Sequence, residues 1–116
     1  MKTLTSLALA TSLGLFGACT INPHSMDMTQ AVQSAKAPSD HQNLAKHYEE
    51  AAKEMQAKAD EHKKLLAQYE ANKGIYGKQA STLISHCQGL IRIYDQAAKE
   101  NVAMAEAHRQ MAAEAK

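Results

Sequence analysis

The stretch "NKGIYGKQ", Asn72–Gln79, decides how this chain folds. It sets Gly74 and Gly77 between two long segments that share a seven-residue apolar repeat. Glycine is a poor helix-interior residue and a good helix terminator, because it reaches left-handed backbone conformations without a Cβ clash. Gly74 is therefore expected to cap a first helix and Gly77 to supply a second flexible point. A repeat that stops here and then resumes predicts a helix, a short turn and a helix.

Upstream of the turn the repeat is regular. His41, Tyr48, Met55, His62 and Tyr69 form one row, and Leu44, Ala51, Lys58, Leu65 and Asn72 form a second. Ala45, Ala52, Ala59 and Leu66 flank these rows and widen the apolar stripe. Glu49–Lys53, Glu54–Lys58 and Asp60–Lys64 have the i,i+4 spacing with the acid first, the order that supports a solvated helix face. The helix start is expected at "PSDHQ", with Ser39 as N-cap and Gln42 completing a capping box. Downstream, Ala80, Cys87, Tyr94, Asn101 and His108 form one row, and Leu83, Leu90, Ala97, Met104 and Met111 form another. Ile84, Ile91, Ala98 and Ala105 flank them.

The fold class that follows is all-α. Helices over about 40–72 and 78–114 pair as an antiparallel, coiled-coil-like hairpin, each about 45–55 Å long at 1.5 Å per residue. Alanine-rich seams give a thin core, and one hairpin buries only one seam. Dimerisation into a four-helix bundle is the expected completion, with another envelope protein as the alternative partner.

The whole chain has 116 residues and a formal charge of +1. No basic patch interleaves with aromatic residues, which argues against nucleic acid as a partner. The first residues read as an export signal: Lys2 gives a positive start, and Leu4–Phe16 is apolar or small and too short to span a membrane. "LFGAC", Leu15–Cys19, then resembles the lipobox of bacterial lipoprotein precursors. Gly17 and Ala18 occupy the small positions, and Phe16 stands where that pattern usually has a leucine-like residue. The resemblance implies that residues 1–18 are removed and that Cys19 carries lipid. It also implies residence in the cell envelope; the absence of aspartate after Cys19 leans toward the outer membrane, facing the periplasm. Several acyl chains give stable anchoring where one would not. Residues 19–38 are expected to be a flexible tether and 39–116 the hairpin domain. A small helical lipoprotein ending in Lys116 is also similar in outline to the murein lipoproteins, but those are uninterrupted helices and this chain turns at Gly74–Gly77.

Two constellations carry possible chemistry. Folding the hairpin about Ile75 brings His62 level with Cys87–Leu90, and His41 level with His108. His62 with Cys87 offers imidazole and thiolate, ligands for zinc or copper. His86 adjoins Cys87 in sequence but points about 100° away around the helix, so the two are poor joint ligands. Met104, His108 and Met111 recur along one face, with His41 across from them; thioether and imidazole together suit copper. The competing reading makes Cys87 a small buried apolar group and the methionines seam filler. With Cys19 lipidated, Cys87 is also an unpaired thiol open to intermolecular bonding.

The chain has no CxxCH, HExxH, Gly-rich phosphate loop or GxSxG motif, and its acidic pairs, Glu49–Glu50 and Asp60–Glu61, fall on polar faces. The expectation is therefore a non-enzymatic, lipid-anchored interaction or structural module. A metal-binding, copper-leaning protein is the alternative.

Overall fold

The computed structural model describes residues 27–115. Its elements are α1 (Met28–Ser34), α2 (Pro38–Ala71), the single-turn α3 (Lys73–Tyr76), a 3₁₀ turn (Gly77–Gln79) and α4 (Ala80–Glu114). The described residues contain no strand. α2 and α4 pack along their lengths as the antiparallel hairpin that the two repeats predict. No helix among the described residues is long and apolar enough to cross a membrane.

Two helix boundaries differ from the sequence reading. α2 starts with Ala37 at its N-cap and Pro38 in its first turn. Proline fits there because the first helical N–H groups have no intrahelical acceptor to lose. In place of a Ser39–Gln42 capping box, the Asp40 carboxylate accepts from the N–H groups of Ala37 (2.9 Å) and Lys36 (3.0 Å). These two bonds hold the Asp40 carboxyl below its usual pKa. The expected tether is also partly helical: Asp27 caps α1 by accepting from the Gln30 N–H at 3.2 Å. Ala31 and Ser34 of α1 lie beside Asn43 and Leu44 of α2.

The turn reverses the roles expected of its glycines. Gly74 lies within α3 at negative φ, whereas Gly77 has φ +54° and ψ −130°. The first helix instead ends at Asn72, whose N–H and Nδ2 both donate to the Gln68 carbonyl, at 3.1 and 2.8 Å. Tyr69 and Tyr76 then meet edge to face, with ring centres 5.0 Å apart, and brace the bend.

Packing also moves the centre of the seam. The alanines placed at its flank share its centre: Ala59 and Ala105 are 0% exposed, and Ala45, Ala52 and Ala98 are buried, as are Ala112 one heptad further on and Leu44, Ala51, Ala80 and Cys87 of the neighbouring rows. The row Leu83–Met111 lies toward one edge, and Met104 and Met111 are 43% and 45% exposed. The reason is steric. A row of methyl groups lets two backbones approach closely, and bulkier side chains then spread to either side of the contact line.

The two edges of the hairpin differ in chemistry. On one, Glu49 accepts from Arg109, and Lys63 pairs with Asp95 at 3.5 Å, so charges of α2 neutralise charges of α4. The other edge carries Leu65 of α2 and the Leu83, Leu90, Ala97, Met104 and Met111 row of α4. None of the ion pairs among the described residues lies there.

The turn supplies a direct check. Gly77→Ala should lower stability by about 1–2 kcal/mol, the cost of a Cβ at positive φ. Gly74→Ala should be neutral or stabilising by roughly 0.5–1 kcal/mol, since no atom lies within 4 Å of a Cβ added there. Thermal or urea unfolding of the two variants distinguishes them.

Candidate functional site

The alanine seam is interrupted by polar side chains at two levels, and both pairings expected from the sequence form. Near the middle, Cys87 Sγ of α4 lies 3.9 Å from His62 Nδ1 of α2. The thiol is free and buried. His62 lies against Tyr94, with planes 17° apart and ring centres 5.5 Å apart, and Lys58 lies over the same Tyr94 ring, 5.9 Å from its centre. Each contact follows from the repeat: Cys87 and Tyr94 are one heptad apart on α4, and His62 and Lys58 are one turn apart on α2.

At the open end, His41 Nδ1 and His108 Nδ1 are 3.2 Å apart. The ring planes differ by 22° and the centres are 5.5 Å apart. The centre separation exceeds the N···N distance by the reach of both rings, so the imidazoles meet edge to edge in an almost linear approach. One Nδ1 must carry a hydrogen and donate while the other accepts. Tyr48 lies parallel to His108 at 5.6 Å between centres, and His47 meets Tyr48 edge-on at 5.7 Å. His47 and His108 are both buried. Burial, and secondarily the charge of His41, lowers the pKa of His108 from its ordinary 6.5.

The other residues singled out by sequence sit elsewhere. His86 is exposed, on a different face from Cys87. Met104 and Met111 flank His108 along α4 but lie on the apolar edge, outside the buried pair. Cys19 and Lys116 lie outside the described residues. The aromatic partners Tyr48 and Tyr94 were visible in the sequence only as seam residues. Their positions one heptad from His41 and Cys87 were the available signal.

Geometry decides what each pair can hold. Two imidazole nitrogens aimed at each other across 3.2 Å accommodate one proton between them. A linear metal ion with bonds of about 2.0–2.1 Å would need them about 4 Å apart. For Cys87 and His62, tetrahedral Zn–S and Zn–N bonds of about 2.3 and 2.0–2.1 Å give a ligand separation of roughly 3.5 Å. The 3.9 Å found is close to that. Each pair nevertheless supplies only two donors. Among the described residues no group of three His, Cys, Asp or Glu side chains is arranged to hold a metal ion. The buried thiol faces its own partner helix. No buried side-chain nitrogen or oxygen among the described residues lacks a hydrogen-bond partner.

The histidine pair makes hairpin stability pH-dependent, and the sign is fixed. The unfolded chain takes up a proton at His108 near the ordinary 6.5, whereas the folded chain does so only at lower pH. The unfolded state thus binds more protons in that interval, and stability falls as pH drops below about 6.5. A second proton on the pair would also remove the acceptor nitrogen. The melting temperature should fall between pH 7.5 and 5. His108→Phe, which retains an aromatic ring against Tyr48, should flatten that dependence, and His86→Gln should not.

No protein-family model, curated protein or solved structure matches this chain.

Proposed function

We propose that this chain is a lipid-anchored helical hairpin of the bacterial cell envelope, acting as a non-enzymatic interaction or structural module that associates with a second copy of itself. The observation that carries this reading is the difference between the hairpin's edges. One neutralises its charges within the chain, through Glu49–Arg109 and Lys63–Asp95. The other carries an apolar row of α4 in which Leu83, Leu90 and Ala97 are half-buried and Met104 and Met111 are exposed, at 43% and 45%. Exposed apolar surface aligned along one face marks an association surface more often than scattered single residues do. The part-buried polar pairs at His62–Cys87 and His41–His108 cross the seam, where they fix the register of the two helices.

The address rests on Leu15–Cys19 and its lipobox-like pattern. Lipid on Cys19 would hold the hairpin at the outer membrane, facing the periplasm, through residues 20–37. In cells grown with a labelled fatty acid, the protein should take up label and fractionate with membranes. Cys19→Ser should abolish both. Labelling that persists in the variant would overturn the lipid assignment.

A second reading is favoured by one contact. The Cys87 Sγ–His62 Nδ1 distance of 3.9 Å is near that of two ligands on one tetrahedral ion. This would make the chain a binder of zinc or copper, with His86, Met104, His108 and Met111 as peripheral donors. Two protein ligands from one chain predict weak binding, completed by water or by a second chain. Titration of the purified protein with Zn(II), Cu(I) and Cu(II) tests it. A melting-temperature rise lost in His62→Ala and Cys87→Ser supports the metal reading, and no response at micromolar metal rejects it.

A further inference from the structure

Charge is distributed unevenly along the hairpin. No Asp or Glu occurs from Ala71 to Tyr94, a stretch that holds Lys73, Lys78 and Arg92. Acids outnumber bases over 27–55 and again over 95–115, which form the open end. The turn end is therefore positive and the open end negative.

The positive end also carries the most exposed large apolar side chain among the described residues, Ile75, at 78%. It stands between Lys73 and Lys78, both exposed. Neither lysine takes part in an ion pair among the described residues. We propose that this turn is a membrane-contact site, where Ile75 enters the apolar margin of a bilayer and Lys73 and Lys78 hold the phosphates of anionic phospholipids. The contact requires neither lipid on Cys19 nor a second copy of the chain.

Three features fit the turn to that surface. The first is the residue pattern. An exposed aliphatic side chain finds no apolar environment on a nucleic acid, whereas the acyl region of a bilayer supplies one. Lysines beside it lay their methylene stems along the apolar boundary and keep their ammonium groups among the headgroups. Half-buried Tyr76 adds a phenol, a group that suits the interfacial depth. No described helix is long and apolar enough to cross a membrane, so the contact is a surface one.

The second feature is a hollow between the turn and α4. Lys73 and Lys78 line it together with Ser81, Ile84, Ser85 and Gln88, and no acidic side chain contributes. Ammonium, hydroxyl and amide groups facing one hollow can all donate to phosphate oxygens, and the charged donors make the stronger bonds.

The third is rigidity. Tyr69 and Tyr76 brace the bend edge to face, and the Ile75 N–H donates to the Asn72 carbonyl at 2.9 Å. Ile75 is thus presented from a structured turn, and little conformational freedom is lost on contact. One aliphatic chain and two ammonium groups bind weakly alone. A lipid on Cys19 would reinforce them by raising the local concentration of bilayer.

The test uses the absence of tryptophan from this chain. In the full chain carrying Cys19→Ser, Ile75→Trp places a single indole at the turn, and Ile93→Trp places one on the flank of α4. All substituted turn and α4 positions are exposed, so the fold is retained. Vesicles of phosphatidylcholine with phosphatidylglycerol should shift Ile75→Trp emission to the blue, and brominated acyl chains should quench it. Pure phosphatidylcholine should require at least tenfold more lipid for the same shift, and so should Lys73→Gln with Lys78→Gln on mixed vesicles. Ile93→Trp should keep the emission of a hydrated indole. No shift at residue 75, an equal shift at residue 93, or a shift indifferent to both lysines overturns the proposal. A shift reproduced by millimolar inorganic phosphate without vesicles marks a free-anion site and overturns the bilayer assignment. Because Cys19→Ser is present throughout, failure here leaves the lipid assignment standing.

Discussion

Close approach of two backbones along a row of alanines is the constraint on which the rest of this structure depends. Ala45, Ala52 and Ala59 of α2 and Ala98, Ala105 and Ala112 of α4 are all buried, and Leu44, 2% exposed, is the one large aliphatic side chain buried with them among the described residues. Methyl groups contribute little transfer free energy each. What they permit is a short interhelical distance, at which many weak dispersion contacts accumulate. Most larger apolar residues, Leu44 excepted, then lie toward the edges, and those edges acquire their separate characters.

The polar residues of the seam make sense within this geometry. A histidine or cysteine facing the partner helix is costly unless it is matched, because a buried donor or acceptor without a partner loses its hydration for nothing. The hairpin matches them across the two helices, His62 with Cys87 and His41 with His108. Asn101 is satisfied locally, its Nδ2 donating to the Ala97 carbonyl at 2.8 Å. A one-turn slip would break both cross-helix pairings at once. The pairs thus specify register in a seam whose repeated alanines would otherwise tolerate several alignments, a role for which buried polar groups in coiled coils are well suited.

Much of this was legible from residue order. The break at Asn72–Gln79 gave the hairpin, and counting outward from it gave the levels of His62–Cys87 and His41–His108, because two straight antiparallel helices of equal rise keep a fixed correspondence. The assignment of His86 to a different face from Cys87 followed from 3.6 residues per turn. Less legible was which of three neighbouring rows lies deepest. The apolar stripe is broad, and hydrophobicity alone favours Leu and Met over Ala, so Met104 and Met111 were read as seam residues. The glycine roles were exchanged for a similar reason. Two glycines three residues apart both permit positive φ, and only the path of the chain selects Gly77.

The sequence by itself determined the helical class, the place of the turn and the list of residues able to meet across it, since each depends on local propensity and on a fixed rise per residue. The tertiary structure alone decided the depth of the alanine row and the edge-to-edge approach of His41 and His108. It also decided the separation of a charge-paired edge from an apolar one. Those depend on how far apart two helices settle and how each is rotated about its axis. Both follow from the summed packing of the whole interface.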